Sequence, residues 1–196
     1  MAATKNNYAC DYSMSFRKVD TNDTELLSKF QCEYPAISDF IQNQSVEAKD
    51  FLKVMSHRGD AIRDDENDRI MGFCAIRCTG ISVNATDRRK RTFVTSIPAI
   101  EINYFAVDEE YRSLRLDENS NRYETLSRAF MLYMIEYIKT IASKYVGATH
   151  ICLYAVTKAV SFYKRCGFEP FEEYMNPDEL PFLRNCIPMF YVIDND

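Results

Sequence analysis

Ile100-Glu101-Ile102-Asn103-Tyr104-Phe105-Ala106-Val107 is an apolar run with a single charge in it, Glu101. A polar, arginine-bearing segment follows from Asp108 to about Glu124, then a long amphipathic pattern to about Tyr145. A second apolar run, Ile151-Cys152-Leu153-Tyr154-Ala155-Val156, leads into Lys158-Ala159-Val160-Ser161-Phe162-Tyr163-Lys164-Arg165-Cys166-Gly167-Phe168. Strand, helix, strand in this order is the pattern of a βαβ unit, whose two strands run parallel and whose crossover is right-handed. The loop leaving the first strand then lies at the N-terminus of the long helix, where backbone N–H groups and the positive dipole end favour an anion such as a phosphate.

Outward from this unit, Met14 to Val19 reads as a first strand. Asn22 with Glu25 three residues on fits a capping arrangement before Leu26, Leu27 and Phe30, and Pro35 should end that helix or its extension. Ser45 is placed to cap a second helix carrying Val46, Phe51, Leu52 and Met55, ending near Gly59. Ala61-Ile62-Arg63 and the run Ile70 to Cys78 read as a hairpin around the polar turn at 64–68, and Thr92 to Val107 should pair antiparallel with the second of these. Thr86-Asp87-Arg88-Arg89-Lys90-Arg91 reads as a solvated loop tip, with an acidic partner or a nucleic-acid contact as the sharper alternatives. In the long helix, Leu126, Phe130, Tyr133, Tyr137, Ile141 and Tyr145 recur at three- and four-residue steps and predict one buried face, with Gly147 at its end. Thr157 to Cys166 is a shorter helix, and Phe168 to Tyr174 and Ile187 to Ile193 are candidate strands.

The 196 residues fit one domain, 1–196, and 46% apolar content with 13 Tyr and 13 Phe supplies a core without Trp. A net charge of -5 argues against a chain that lives on phosphate backbones and suits a cationic, amine-bearing substrate. No signal peptide is read at Met1 to Asn6, and no apolar run is long enough to cross a bilayer. Seven Cys, at 10, 32, 74, 78, 152, 166 and 186, lack framework spacing and read as free thiols of a cytoplasmic protein. His57 and His150 are far apart, and Cys74 and Cys78 lie on a strand rather than in a turn, so no metal site is expected.

Three pieces of the chain resemble the GNAT superfamily of acetyl-CoA-dependent N-acetyltransferases. Glu101 to Asp108 resembles its central bulged strand, Arg122 to Ser127 falls where its Arg/Gln-x-x-Gly-x-Gly/Ala loop opens a helix, and Phe162 to Phe168 resembles its tyrosine helix with the closing Gly-Phe. The resemblance implies an α/β (α+β) fold: a mixed, mostly antiparallel twisted sheet with helices on both faces and a central parallel strand pair forming the cofactor cleft. It implies acetyl transfer from acetyl-CoA to a primary amine, with no metal. It puts cofactor binding on Phe105, Ala106, Val107, Arg112, Arg122, Thr125, Leu126, Ser127 and Thr157, and leaves a homodimer open. The loop departs from the family pattern, because no Gly lies between Gly80 and Gly147; Thr125 and Ser127 stand where the small residues belong, and Arg112, Arg115, Arg122 and Arg128 could replace amide contacts by charge.

A carboxylate in an apolar strand costs free energy unless it is paired, hydrogen-bonded, wet or protonated. In part of the family a glutamate at the position of Glu101 is the general base; the alternative is a strand residue paired with a Lys or Arg. Tyr163 resembles the tyrosine near the thioester sulfur; a phenol is protonated at neutral pH and can donate to the leaving thiolate. The alternative is a core aromatic between helix and sheet. Two other readings stay open for the chain: a binding or regulatory protein on the same scaffold that has lost acyl-CoA, and a toxin-like acetyltransferase acting on charged tRNA, contacted by Arg88 to Arg91.

Overall fold

The computed structural model describes residues 14–58, 69–115, 124–171, 183 and 185–193. Its strands are β1 (Met14–Lys18), β2 (Leu52–Arg58), β3 (Arg69–Thr86), β4 (Thr92–Val107), β5 (His150–Val156), β6 (Glu169–Pro170) and β7 (Cys186–Val192). They form one seven-stranded sheet in the order β1-β2-β3-β4-β5-β7-β6. The helices are α1 (Thr24–Ser28), α2 (Pro35–Asp39), α3 (Leu126–Ile141) and α4 (Val160–Arg165). β4 and β5 are the parallel pair, with Ala99–Ile102 opposite His150–Leu153; β1–β2, β5–β7 and β6–β7 are antiparallel. The mixed, mostly antiparallel α+β sheet expected from the sequence is the sheet found.

Two compact units divide the chain, one of residues up to Ala75 with Tyr104–Tyr133, the other of Ile76–Asn103 with Met134 onward. In the first, Leu27, Phe30, Phe40, Ile41, Met55, Ile70, Phe73, Ala75 and Ala106 form a buried cluster. Phe40 stands edge-on to Phe73 and stacks at 3.9 Å on Tyr104. Gly72, next to Phe73, meets the ring of Phe130 on α3 instead. Neighbouring strand residues point to opposite faces, so the α2 side and α3 cover opposite faces of this part of the sheet. Gly72 must lack a side chain, since a Cβ there would stand 2.6 Å from the Phe130 ring. In the second unit, Ile81, Ala99 and Cys152 form a smaller cluster, with Val83, Ile97 and Phe171 packed on it.

Several local expectations give way to competing contacts. The first cap is Asp20, not Asn22: the Asp20 side chain accepts from Asn22 N (3.0 Å) while Asp23 Oδ2 accepts from Asp20 N (2.6 Å), closing a capping box that starts earlier in the chain. Pro35 does not end a helix but opens α2 at its first position, where its missing N–H costs nothing. Ser45 ends the following helical turn (Phe40–Gln44) and donates back to Ile41 O at 2.6 Å rather than capping forward. The predicted helix over Val46 to Met55 is replaced by β2, which pairs with β1 from Met14↔Arg58 to Lys18↔Val54. Lys53 anchors that change, its Nζ donating to the carbonyls of Ser45 (2.6 Å), Val46 (3.2 Å) and Ala48 (2.7 Å).

β3 and β4 are joined at 87–91 and form the antiparallel hairpin expected of them; Gly59, Ala61-Ile62-Arg63 and the turn at 64–68 lie outside the described residues. The buried stripe of α3 is Leu126, Phe130, Met131, Met134, Ile135 and Ile138, carried on by Ala142, whereas Tyr133 is exposed and Tyr145 stands 80% exposed. The aromatic bulk suggested a stripe that drifts toward solvent, and the methionines mark the true one. Gly147 ends the helix in the left-handed conformation (φ 70) after a wider turn, Ala142–Val146. Of the strand expected at Phe168 to Tyr174, Glu169–Pro170 is a strand, and 172–174 lie outside the described residues. No helix among the described residues is long and apolar enough to cross a membrane.

Candidate functional site

Glu101 is buried on β4, opposite Cys152 of β5 in the parallel register. Arg77 of β3 reaches it with two N–H groups, Nε at 3.1 Å and Nη2 at 3.0 Å, both to Oε2. Asn103, two residues along the strand, donates Nδ2 to Oε1 at 2.9 Å. An ionised carboxylate has about four lone-pair sites, so among the described residues these three N–H groups leave one on Oε1. Asn103 Oδ1 is buried and has no hydrogen-bond partner among the described residues. Burial and the neighbouring carboxylate push the Cys152 thiol up to about 12, only partly offset by Arg77, so it stays a thiol.

The strand changes phase beside this group. At one level Glu101 faces Arg77; at the next, Tyr104 and Ala106 join the cluster that holds Phe73 and Ala75. Odd residues of β3 meet an odd residue of β4 at the first level and even ones at the second. The register therefore slips by one residue, as at a β-bulge, and the parallel ladder ends at the same level, after Ile102↔Leu153. β5 continues to Val156, paired on its other side by β7.

The loop after β4 is tied down by Asp108. Its carboxylate accepts from Gln31 N (2.9 Å) and Glu110 N (3.1 Å), and its carbonyl from Tyr111 N (2.9 Å) and Arg112 N (3.0 Å). Leu126 N donates to Leu114 O at 2.9 Å, and Arg115 bridges Thr125. Thr125 caps α3 as expected, its hydroxyl accepting from Arg128 N at 3.4 Å. Ser127 is buried and its hydroxyl donates to Arg112 O at 2.9 Å, holding the loop against the helix start. The guanidinium of Arg112 is exposed and ion-paired to Glu33. Phe105 stacks on Phe130 at 5.2 Å, while Ala106, Val107 and Leu126 are buried, so these side chains belong to the core. Arg122 lies outside the described residues.

Tyr163 is half-buried on α4, edge-on to Phe162 (5.2 Å) and Phe168 (5.9 Å). The helix closes as expected: Gly167 takes φ 93 and Phe168 N donates to Tyr163 O at 3.1 Å. Thr157 is exposed and begins the short 3-10 turn Thr157–Ala159, its carbonyl accepting from Val160 N. The structure thus joins Glu101 to Arg77 and Asn103, and Thr125 and Ser127 to Arg112 and Arg115. Arg77, Asn103 and Asp108 were missed from the sequence. Arg77 had a signal, a charge inside the apolar run Ile70 to Cys78; Asp108 had one as an acid directly after a strand.

No family model and no curated protein matches the chain. Solved structures do, over almost its whole length. One described as a bacterial toxin covers 93% of this chain and 92% of its own, at 16% identity and a TM-score of 0.66. AtaTR bound with AcCoA covers 93% and 95%, at 17% identity and 0.66. AtaT complexed with acetyl-methionyl-tRNAfMet covers 92% and 95%, at 15% identity and 0.63. At such identities the fold is what is shared, and it is the GNAT-like fold that the motifs pointed to. The expectation against a nucleic-acid partner finds no support here, since one of these neighbours is a tRNA complex.

Proposed function

We propose that this chain is an N-acetyltransferase that moves the acetyl group of acetyl-CoA to a primary amine. The observation that carries the reading is the buried Glu101 carboxylate with one lone pair left on Oε1, on the parallel strand pair of a fold whose neighbour AtaTR holds AcCoA. Glu101 takes a proton from the amine, whose nitrogen attacks the thioester carbonyl carbon. Arg77 and Asn103 keep the carboxylate in one rotamer for that step. The C–S bond breaks, the acetyl group stays on nitrogen, and the departing thiolate is protonated by Tyr163. Strand amides near Phe105 would stabilise the developing oxyanion, and most of the rate would come from holding amine and thioester together. Thr125, Leu126, Ser127 and the arginines of the loop would hold the cofactor's phosphates, with Arg112 exchanging Glu33 for an anion.

The acceptor class is favoured by one specific likeness, to the AtaT complex with acetyl-methionyl-tRNAfMet. An aminoacyl-tRNA presents the α-amine that this chemistry requires. The test is release of the CoA thiol in the presence of small amines and of aminoacyl-tRNA, for the wild type and Glu101→Gln. A base worth about 10²–10⁴-fold in rate predicts a loss of at least a hundredfold in kcat with acetyl-CoA affinity retained. An unchanged kcat at neutral pH removes Glu101 from the base role. Failure to bind any acyl-CoA favours a regulatory protein on this scaffold.

A further inference from the structure

On the β4 side the outer half of the β3–β4 hairpin buries almost nothing, while Val83 and Ala85 of β3 are half-buried. Every residue from Thr92 to Ser96 is exposed, with Phe93 at 50% and Val94 at 70%. At its end Arg88, Arg89, Lys90 and Arg91 lie together on a chain whose net charge is -5. The tip is built rather than loose. Asp87 Oδ1 accepts from Arg89 N (2.8 Å) and Arg91 N (2.9 Å), and Oδ2 accepts from Arg91 Nε at 2.8 Å. Lys90 N donates to Asp87 O at 2.9 Å, with Lys90 in the left-handed conformation at φ 61. The backbone N–H of Arg91, ahead of its guanidinium and the N–H of Arg89, holds Asp87 below its ordinary range, so this order persists into mild acid. One cation, Arg91, is thereby matched by Asp87, and Arg88, Arg89 and Lys90 stand exposed around it.

We propose that this arm is an RNA-binding element: Arg88, Arg89 and Lys90 take backbone phosphates, and Phe93 takes the face of an unstacked base. A strand exposed over its outer half, with a cationic end and an aromatic beside it, combines the two features by which proteins hold single-stranded nucleic acid. A lone aromatic on a narrow ribbon suits a splayed base of an RNA loop or end, not a stacked duplex. The proposal adds to the acceptor reading above but does not depend on acetyl transfer.

The test is fluorescence anisotropy of the full chain with a short fluorescein-labelled single-stranded oligoribonucleotide, across a salt series. Three phosphate contacts predict a slope of log affinity against log salt of about -2 from this tip, at roughly 0.7 per contact. The triple variant Arg88→Gln, Arg89→Gln, Lys90→Gln should lose that slope, and Phe93→Ala should weaken binding roughly tenfold with the slope unchanged. Asp87 and Arg91 stay in place, so the tip keeps its shape, and thermal midpoints should match the wild type. No binding at low salt, or binding that neither variant alters, overturns the proposal. So does a change in oligomeric state without a change in RNA binding, which would make the arm a contact for a second copy of this chain. Turnover of a small amine acceptor is read separately in every variant, and its loss or retention bears on the acetyltransferase reading alone.

Discussion

Replacing Arg77 by Met should expose how much of the β3–β4 centre rests on one ion pair. Glu101 is 8% exposed and Arg77 45%, and the guanidinium gives Oε2 two N–H groups at 3.0 and 3.1 Å. Removing one partner of a fully buried pair costs about 3–5 kcal/mol. Water reaches the outer side of Arg77, which lowers this, and charged hydrogen bonds contribute roughly 1.5–3 kcal/mol. The expected loss is therefore about 2–3 kcal/mol, or roughly 4–12 °C in thermal midpoint for a chain of this size. Urea unfolding of wild type, Arg77→Met, Glu101→Gln and the double variant forms a cycle. The double variant should recover part of the Arg77→Met loss, because no uncompensated carboxylate remains. A loss under about 0.5 kcal/mol for Arg77→Met, or strict additivity in the cycle, would refute the assignment of this pair as the anchor of Glu101.

Other expectations follow from particular contacts. Gly167→Ala combines a left-handed backbone (φ 93) with a Cβ at 3.0 Å from the Tyr191 ring, and should cost about 1–2 kcal/mol in urea unfolding. Gly72→Ala puts a methyl 2.6 Å from the Phe130 ring and should cost roughly 1–3 kcal/mol, partly recovered by Phe130→Leu in the same chain. In native protein treated with a thiol reagent at pH 8, mass spectrometry should find Cys78 modified and Cys152 and Cys74 untouched, since the first is exposed and burial pushes both other thiols up. Burial lowers the His150 value below 6.5, so the unfolded chain binds the proton more readily; its contribution is present above 6.5 and is lost as pH falls below it. His150→Asn should flatten that limb of the stability–pH curve.

The parts of the fold that were legible are those where local pattern and tertiary demand agree. β1, β4 and the parallel unit around β5 stand where their apolar runs put them, because strands inside a sheet need apolar residues whatever lies beside them. Gly147 and Gly167 were readable as helix ends because each must adopt a positive φ. Asn22 and Ser45 misled because each had a neighbour, Asp20 or Ile41 O, that competed for the same hydrogen bond. The helix predicted over Val46 to Met55 failed because strand pairing with β1, whose partners lie far off in sequence from Met14↔Arg58 to Lys18↔Val54, outweighed propensity. Glu101 stood out as a lone charge in an apolar run, but its partner did not: pairing Arg77 with it requires the register of a hairpin whose ends alone are visible in sequence. Asn103 and Ser127 were invisible as structural donors for the same reason, since Nδ2 of one and Oγ of the other are spent on groups set by the fold.

The most direct test of the central claim is a thermal shift of the full chain with acetyl-CoA, with CoA as the comparison. At a hundred times its dissociation constant a ligand adds about 2.7 kcal/mol. For a chain of this size that is roughly 5–10 °C. The account predicts a shift of that order for both, because the glycine-free loop must hold the pyrophosphate that they share. No shift at millimolar acetyl-CoA would contradict it, and Glu101, Tyr163 and the loop at Thr125 to Ser127 would then be structural residues only.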